Sequence, residues 1–264
     1  MARMKIILVF TLAASLAAQN KGVLLENLTW AEAEKVLETE AVVVIPIGAA
    51  AKEHGPHLKL NNDWLMAEWL KRRVLAGSEV VMAPTVNYHF YPAFVEYPGS
   101  TLLRQETARD LIIDICRSLA RYGPRRFYAL NTGVSTVRAL EPAAEALSKE
   151  GILLRFTDIL EVAGETERRV RESEGGTHAD EIETSLMLYM APETVDMKKA
   201  VKDYHPGKTR GKLSRDPNTE FTYSASGVFG DATRATRAKG EVIAKAMEAG
   251  ILREIEALRR ARLP

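Results

Sequence analysis

Two short stretches hold the side chains best suited to chemistry. In AAAKEHGPHLKLNND, residues 49–63, Lys52, Glu53, His54, His57 and Asp63 surround a Gly-Pro turn. In THADEIETS, residues 177–185, His178, Asp180, Glu181 and Glu183 open an apolar segment. Imidazole and carboxylate groups suit zinc, manganese and iron, so His54, His57, Asp63, His178 and Glu183 are the right types for a divalent cation. Spacing alone leaves a plainer alternative open, in which the loop histidines bond to backbone and Asp63 caps the next helix. Capping and ligation are compatible roles.

The elements around these stretches decide where they sit. ENLTWAEAEKVLETE places Thr29 to cap a helix, and AVVVIPIG is a continuous β-branched run that suits a strand covered on both faces. A helix opens at Asn62 or Asp63. EVVMAPTV then reads as a strand, RQETARDLIIDICRSLARYG as a helix, RRFYALNTG as a strand, the segment around RALEPAAEALSKEG as a helix and ILLRFTDIL as a strand. This alternation predicts an α/β fold with a mainly parallel central sheet and helices on both faces. Ligands in such a fold sit beyond the carboxyl ends of the strands, where residues 49–63, the loop NYHFYPAFVEYPGS and the loop NTGVST converge. Thr177 is a candidate cap for the helix carrying His178 and Glu183, residues 203–233 form a long polar stretch, and a helix over residues 234–262 closes the chain.

Composition narrows the partners. A chain of 264 residues, 46% hydrophobic, is long enough for one large domain with a full core. Its 36 Lys+Arg and 35 Asp+Glu leave a net charge of +1, and no basic stripe interleaves with aromatics, so a nucleic-acid partner is not expected. Residues 1–18, MARMKIILVFTLAASLAA, read as a secretory signal peptide, with Arg3 and Lys5 before a short apolar run and small residues near Ala17. The expectation is an exported protein, periplasmic or secreted, with residues 19–264 as a single domain and no membrane span after cleavage. Cys116 is the only cysteine, so stability must come from the core.

The stretch GAAAKEHGPHLKLNND resembles the signature G-[ST]-x-E-Q-H-G-P-H-L-P-x-x-T-D of the creatininase (creatinine amidohydrolase) family. HADEIETS resembles that family's H-A-G-x-x-E-T-S, EYPGSTL its F-P-G-T segment, and SASGVFGDATRATRAKGE its S-G-V-x-G-D-P tail, all in the family's order from about Leu28 to Ala249. The resemblance implies a three-layer α/β/α sandwich, a homo-oligomer that is often a hexamer, and hydrolysis of a small cyclic or linear amide, a C–N bond other than a peptide bond. It also implies two divalent metals bridged by an aspartate, with a water made acidic by the cations as nucleophile. Carried over by position, His54, Asp63 and Glu183 are metal ligands, His178 handles the proton beside the water, and His57 orients the loop.

Two departures fall on the metal centre. Lys52 stands where the family has a ligating glutamate, and Gly133 stands where it has a ligating histidine, with Ser135 at the variable glutamate two residues on. Both lost ligands serve the same ion. The expectation is therefore one zinc, manganese or iron ion per chain, or none, with the Lys52 ammonium in place of the missing cation, paired with Asp63 and steadying an oxyanion. Glu53 is read as an acid behind the ligands, and Tyr88, His89 and Ser135 as substrate contacts. Tyr88, His89, Tyr91, Phe94 and Tyr97 form either an aromatic wall over the substrate or an oligomer contact. Two alternatives accompany this reading: a non-catalytic relative that binds a small ligand, and a metal-free hydrolase using Lys52, His178 and Glu183.

Overall fold

The computed structural model describes residues 20–205 and 212–264, so the expected signal peptide, residues 1–18, lies outside the described residues. Five parallel strands, β1 (Val23–Leu24), β2 (Val42–Ile47), β3 (Val81–Met82), β4 (Arg126–Asn131) and β5 (Leu153–Phe156), form the central sheet in the order β1-β3-β2-β4-β5. Strand β2, VVVIPI, is buried along its whole length, as its unbroken apolar pattern predicts. Its side chains alternate between faces. Val42 and Val44 join a core cluster with α2 (Asn62–Gly77), α6 (Glu181–Met190) and α7 (Arg237–Arg259). Val43, Ile45 and Ile47 join the opposite cluster, with Ile112, Ile113 and Cys116 of α3 (Gln105–Ala120) and Leu140, Ala143 and Leu147 of α4 (Val137–Ser148). Two apolar clusters on one sheet make the three-layer α/β/α sandwich that the sequence predicts.

The local signals hold where capping chemistry is complete. Helix α1 (Trp30–Val36) starts with a capping box, Thr29 accepting from the Glu32 N–H while the Glu32 carboxylate accepts from the Thr29 N–H. Helix α7 is capped by Thr236, a few residues inside the predicted 234–262. The predicted cap Thr177 gives way to Asp180, whose Oδ1 accepts from the backbone N–H groups of Ile182 (3.0 Å) and Glu183 (3.1 Å). Strand β3 is only two residues long. The chain stays alongside β2 through Ala83 N–H to the Val44 carbonyl and Val86 N–H to the Pro46 carbonyl. Helix α5 (Gly164–Val170) is an element the sequence pattern does not reveal. The polar stretch 203–233 contributes two small strand pairs, Lys202–Asp203 with Gly230–Asp231 and Leu213–Ser214 with Thr222–Tyr223. Among the described residues no helix is long and apolar enough to cross a membrane.

Strand order places the site. Strand β2 leads into α2 on one face, and its neighbour β4 leads into α4 on the other, so a crevice opens between their carboxyl ends. Both chemically distinctive loops empty into it.

Candidate active site

Gly48 ends β2 where a Cβ would lie 2.4 Å from the Asp63 carbonyl oxygen, so a bare backbone lets the strand end abut the first turn of α2. That contact brings Asp63 under the 48–61 loop. Lys52 Nζ lies 2.7 Å from Asp63 Oδ2, and both residues are buried. The ammonium also sits over the rings of Phe94 (4.9 Å) and Tyr91 (5.6 Å), which favour a cation on their faces.

His54 is fully buried and oriented at both ring nitrogens. Its Nδ1 lies 2.8 Å from the Lys52 carbonyl, which can only accept, so Nδ1 carries a proton and donates. Nε2 lies 2.7 Å from Asp63 Oδ1 and 3.3 Å from Glu183 Oε1. A lone pair facing two carboxylates is unfavourable, so this nitrogen needs a positive species there, either a proton or a metal ion. Burial and the Lys52 charge push the His54 pKa down, but Asp63 and Glu183 outweigh them and hold it at about 9. Glu183 shows the converse: burial alone would raise it, yet His54, His178 and Lys52 hold it well below the ordinary carboxylate range. Asn62 Nδ2 (3.0 Å) and the Ala179 N–H (2.7 Å) donate to the Glu183 carboxylate.

His178 enters from the other side of the crevice. Its backbone bridges Phe229, and the next residue, Ala179, has φ 47°, the left-handed region that a residue with a Cβ rarely adopts. The ring packs against Phe94 (4.1 Å between centroids) and His54 (5.1 Å). Nε2 lies 3.0 Å from Glu53 Oε2, and Nδ1 lies 3.7 Å from Glu183 Oε2. Glu53 is thus buried and bonded to the imidazole, and it also accepts from the Gly55 N–H. His57 ties the loop to α6 through Nε2 and Thr184 Oγ1 (2.8 Å), and burial holds its pKa down at about 4, so it is neutral.

One donor atom from each of His54, His178 and Glu183 falls within 4.8 Å of the others, a two-imidazole, one-carboxylate set of the kind that holds a single catalytic divalent ion. The set differs from His54, Asp63 and Glu183 in having His178 in the place of Asp63, whose oxygens face Lys52 Nζ and His54 Nε2. The surroundings of Asp63 and Gly133 bear on a second ion. The ammonium of Lys52 already neutralises Asp63, and a Cβ on Gly133 would meet Thr136 Cγ2 at 3.0 Å and Tyr91 Cε1 at 3.4 Å.

The cleft above this cluster has a volume of about 760 Å³, in the range of pockets for drug-sized ligands. Lys52, His178, Glu183 and Ser135 line it. Among the described residues Tyr88 and His89 do not: Tyr88 points outward, 47% exposed, and His89 is buried away from the cleft. Tyr91 and Phe94, from the same loop, form the wall instead, which gives the aromatic-wall reading to that pair alone. The Tyr91 hydroxyl is buried with no hydrogen-bond partner among the described residues. The far wall holds Glu167, raised to about 7 by burial and by Asp180, and Arg171, paired to Asp180 at 2.7 Å. Sequence reading misses both because α5 carries no recognisable signal. Arg138 also escapes it, although its place in the first turn after NTGVST is a signal that was available.

Comparison with known proteins follows the same lines. The family model of creatinine amidohydrolase, "Creatininase", matches residues 26–255. The chain is 29% identical over 251 residues to the creatinine amidohydrolase of Pseudomonas putida, covering 88% of this chain and 95% of that one. It is 26% identical over 242 residues to the mycofactocin precursor peptide peptidase of Mycobacterium tuberculosis, covering 85% and 88%. A solved manganese creatininase superposes with a TM-score of 0.75 at 26% identity, over 91% of this chain and 100% of that one. The family model, the sequence relatives and the superposed structure agree, and the protein belongs to the creatininase family of hydrolases that act on C–N bonds.

Proposed function

We propose that this protein is an exported hydrolase of a small cyclic or linear amide, working as a homo-oligomer with one divalent ion per chain where its two-metal relatives use two. The observation that carries the reading is the buried Lys52–Asp63 pair at 2.7 Å, which puts one positive charge where a glutamate and a divalent ion would together leave one. His54, His178 and Glu183, with Asp63 alongside, would hold the ion, of the zinc, manganese or iron class. When bound, such an ion supplies an acidified water and polarises a carbonyl. The residues of the chain do the rest. The Lys52 carbonyl fixes the His54 ring through Nδ1–H and leaves Nε2 for the ion, and Glu53 fixes His178 with Nδ1 turned toward Glu183 and the cleft. Lys52 presents its charge to the developing oxyanion, and Phe94 and Tyr91 exclude water from that charge.

A metal-free hydrolase using Lys52, His178 and Glu183 is the second reading. It is favoured by one fact: without any ion every ring nitrogen of His54 and His178 already faces a protein partner. Elemental analysis of the purified protein, with thermal melting in manganese, zinc and chelator, separates the two. One ion per chain and a melting point that falls on chelation support the first reading, because a ligand bound only by the folded state must stabilise it. No ion and no shift, with hydrolysis retained, support the second, and two ions per chain contradict both.

A further inference from the structure

Among the described residues four Lys and Arg side chains line the cleft, and three of them are neutralised in place. Lys52 pairs with Asp63 at 2.7 Å, Arg171 with Asp180 at 2.7 Å, and Lys212 with Glu96 at 2.9 Å. Arg138 has no carboxylate partner among the described residues. Arg138 is exposed at the cleft mouth, and its guanidinium lies 4.9 Å from the ring centroid of the buried Phe90. Its backbone is anchored, the carbonyl accepting from Gln105 Nε2 at 2.8 Å. Ser135, three residues earlier, lines the same cleft, and its hydroxyl has no protein partner among the described residues. The β4 turn that lacks the family's metal ligand at Gly133 therefore offers a guanidinium and a free hydroxyl at the cleft mouth.

We infer that Arg138 and Ser135 form a carboxylate-recognition subsite, and that the substrate is an N-acyl amino acid whose free carboxylate docks there while its amide lies over Lys52 and His178. A guanidinium presents two parallel N–H groups that match a carboxylate, and an unpaired cation in a cleft favours an anionic ligand. The volume, about 760 Å³, accommodates an acyl group, an amide and a remote carboxylate together. In the reaction the C–N bond breaks, the hydroxyl of water joins the acyl carbon, and the amine leaves with the proton. The inference rests on the hydrolase reading for the reaction but not for the binding.

The test separates the two. The probe is 3-benzoylpropionate, which is hippurate with its amide nitrogen replaced by methylene and so cannot be hydrolysed; its neutral control is 1-phenylpentane-1,4-dione, in which a methyl ketone replaces the carboxylate and no amide is present. Isothermal titration of the full-length protein is expected to show the carboxylate bound about ten-fold more tightly than the neutral ketone. Arg138→Gln is expected to abolish that preference while leaving binding of the neutral control unchanged, and Arg138→Lys to restore part of it. Equal affinities in the wild type, failure of both probes to bind, or a preference that survives Arg138→Gln and so arises elsewhere would each overturn the inference. Hydrolysis of hippurate and hippuramide is followed in parallel. Carboxylate preference without hydrolysis of any amide keeps the subsite and rejects the hydrolase reading, whereas hydrolysis of both amides at equal rates does the opposite.

Discussion

The two sides of the crevice solve opposite electrostatic problems. On the β2 and α6 side, Lys52, Glu53, His54, Asp63, His178 and Glu183 are packed together with little access to water, and each charge has a partner of opposite sign within about 3.7 Å. On the β4 side the turn carries no charge until Arg138. There Asn131 Oδ1 accepts from the Gly133 N–H (3.1 Å) and from Thr136 Oγ1 (2.5 Å), so its polar groups serve the backbone. A metal site shared between two loops needs both to supply ligands. Here one loop holds its charges in ion pairs, with the Lys52 ammonium against Asp63, while the other is a turn whose polar groups bond to one another.

The contrast is broken most severely at Lys52. Lys52→Met leaves the Asp63 carboxylate buried beside only a histidine, so urea denaturation should show a loss of about 3–5 kcal/mol. A loss within experimental error would mean that the pair does not hold the charged side together.

Acid conditions compare the charged side with a buried histidine outside the cleft. Burial holds His89 at about 4, below the ordinary value of 6.5, so the unfolded chain takes up a proton that the folded one refuses. Stability is therefore unaffected above about pH 6.5 and is lost as pH falls from there toward 4, by roughly 3 kcal/mol for this residue. His57 acts in the same direction on the charged side, so His89→Phe should reduce the slope of unfolding free energy between pH 6.5 and 4 without flattening it.

The Glu53–His178 contact sharpens the comparison within the charged side. Glu53→Gln keeps the shape and removes the charge that orients the imidazole; kcat should fall about 10²-fold, with KM little changed. A change in KM alone would assign Glu53 to substrate binding. The smallest effect is expected at Gly133: a Cβ 3.0 Å from Thr136 Cγ2 is tight but adjustable, so Gly133→Ala should cost roughly 1 kcal/mol. Restoring the family's ligands with Lys52→Glu and Gly133→His should let a second ion bind beside Asp63, and no gain of a second ion would count heavily against the account.

The charged side is legible in sequence because its residues fall in two contiguous stretches that resemble the family's motifs, where spacing alone leaves a capping role open, and helices on both faces of the sheet follow from the β-branched run of β2 and the alternation around it. What escaped depends on distance in the chain. Glu53 was read as an acid behind the ligands, but its bond to His178, 125 residues away, exists only once β2 and α6 meet. Tyr91 and Phe94 could not be told from Tyr88 and His89 within one aromatic loop, since which of them faces inward depends on the turns of residues 87–104. Glu167 sits on a helix of seven residues, too short for periodicity to show, and Arg171 caps its C-terminal end.

The central claim is that Lys52 occupies the position of one of two metals. Its most direct test is a crystal structure of protein soaked in manganese, with anomalous scattering recorded at the metal edge. The account predicts one peak per chain, among His54, His178 and Glu183, with Lys52 still bonded to Asp63. A second peak beside Asp63, with the Lys52 side chain displaced from it, would contradict the account.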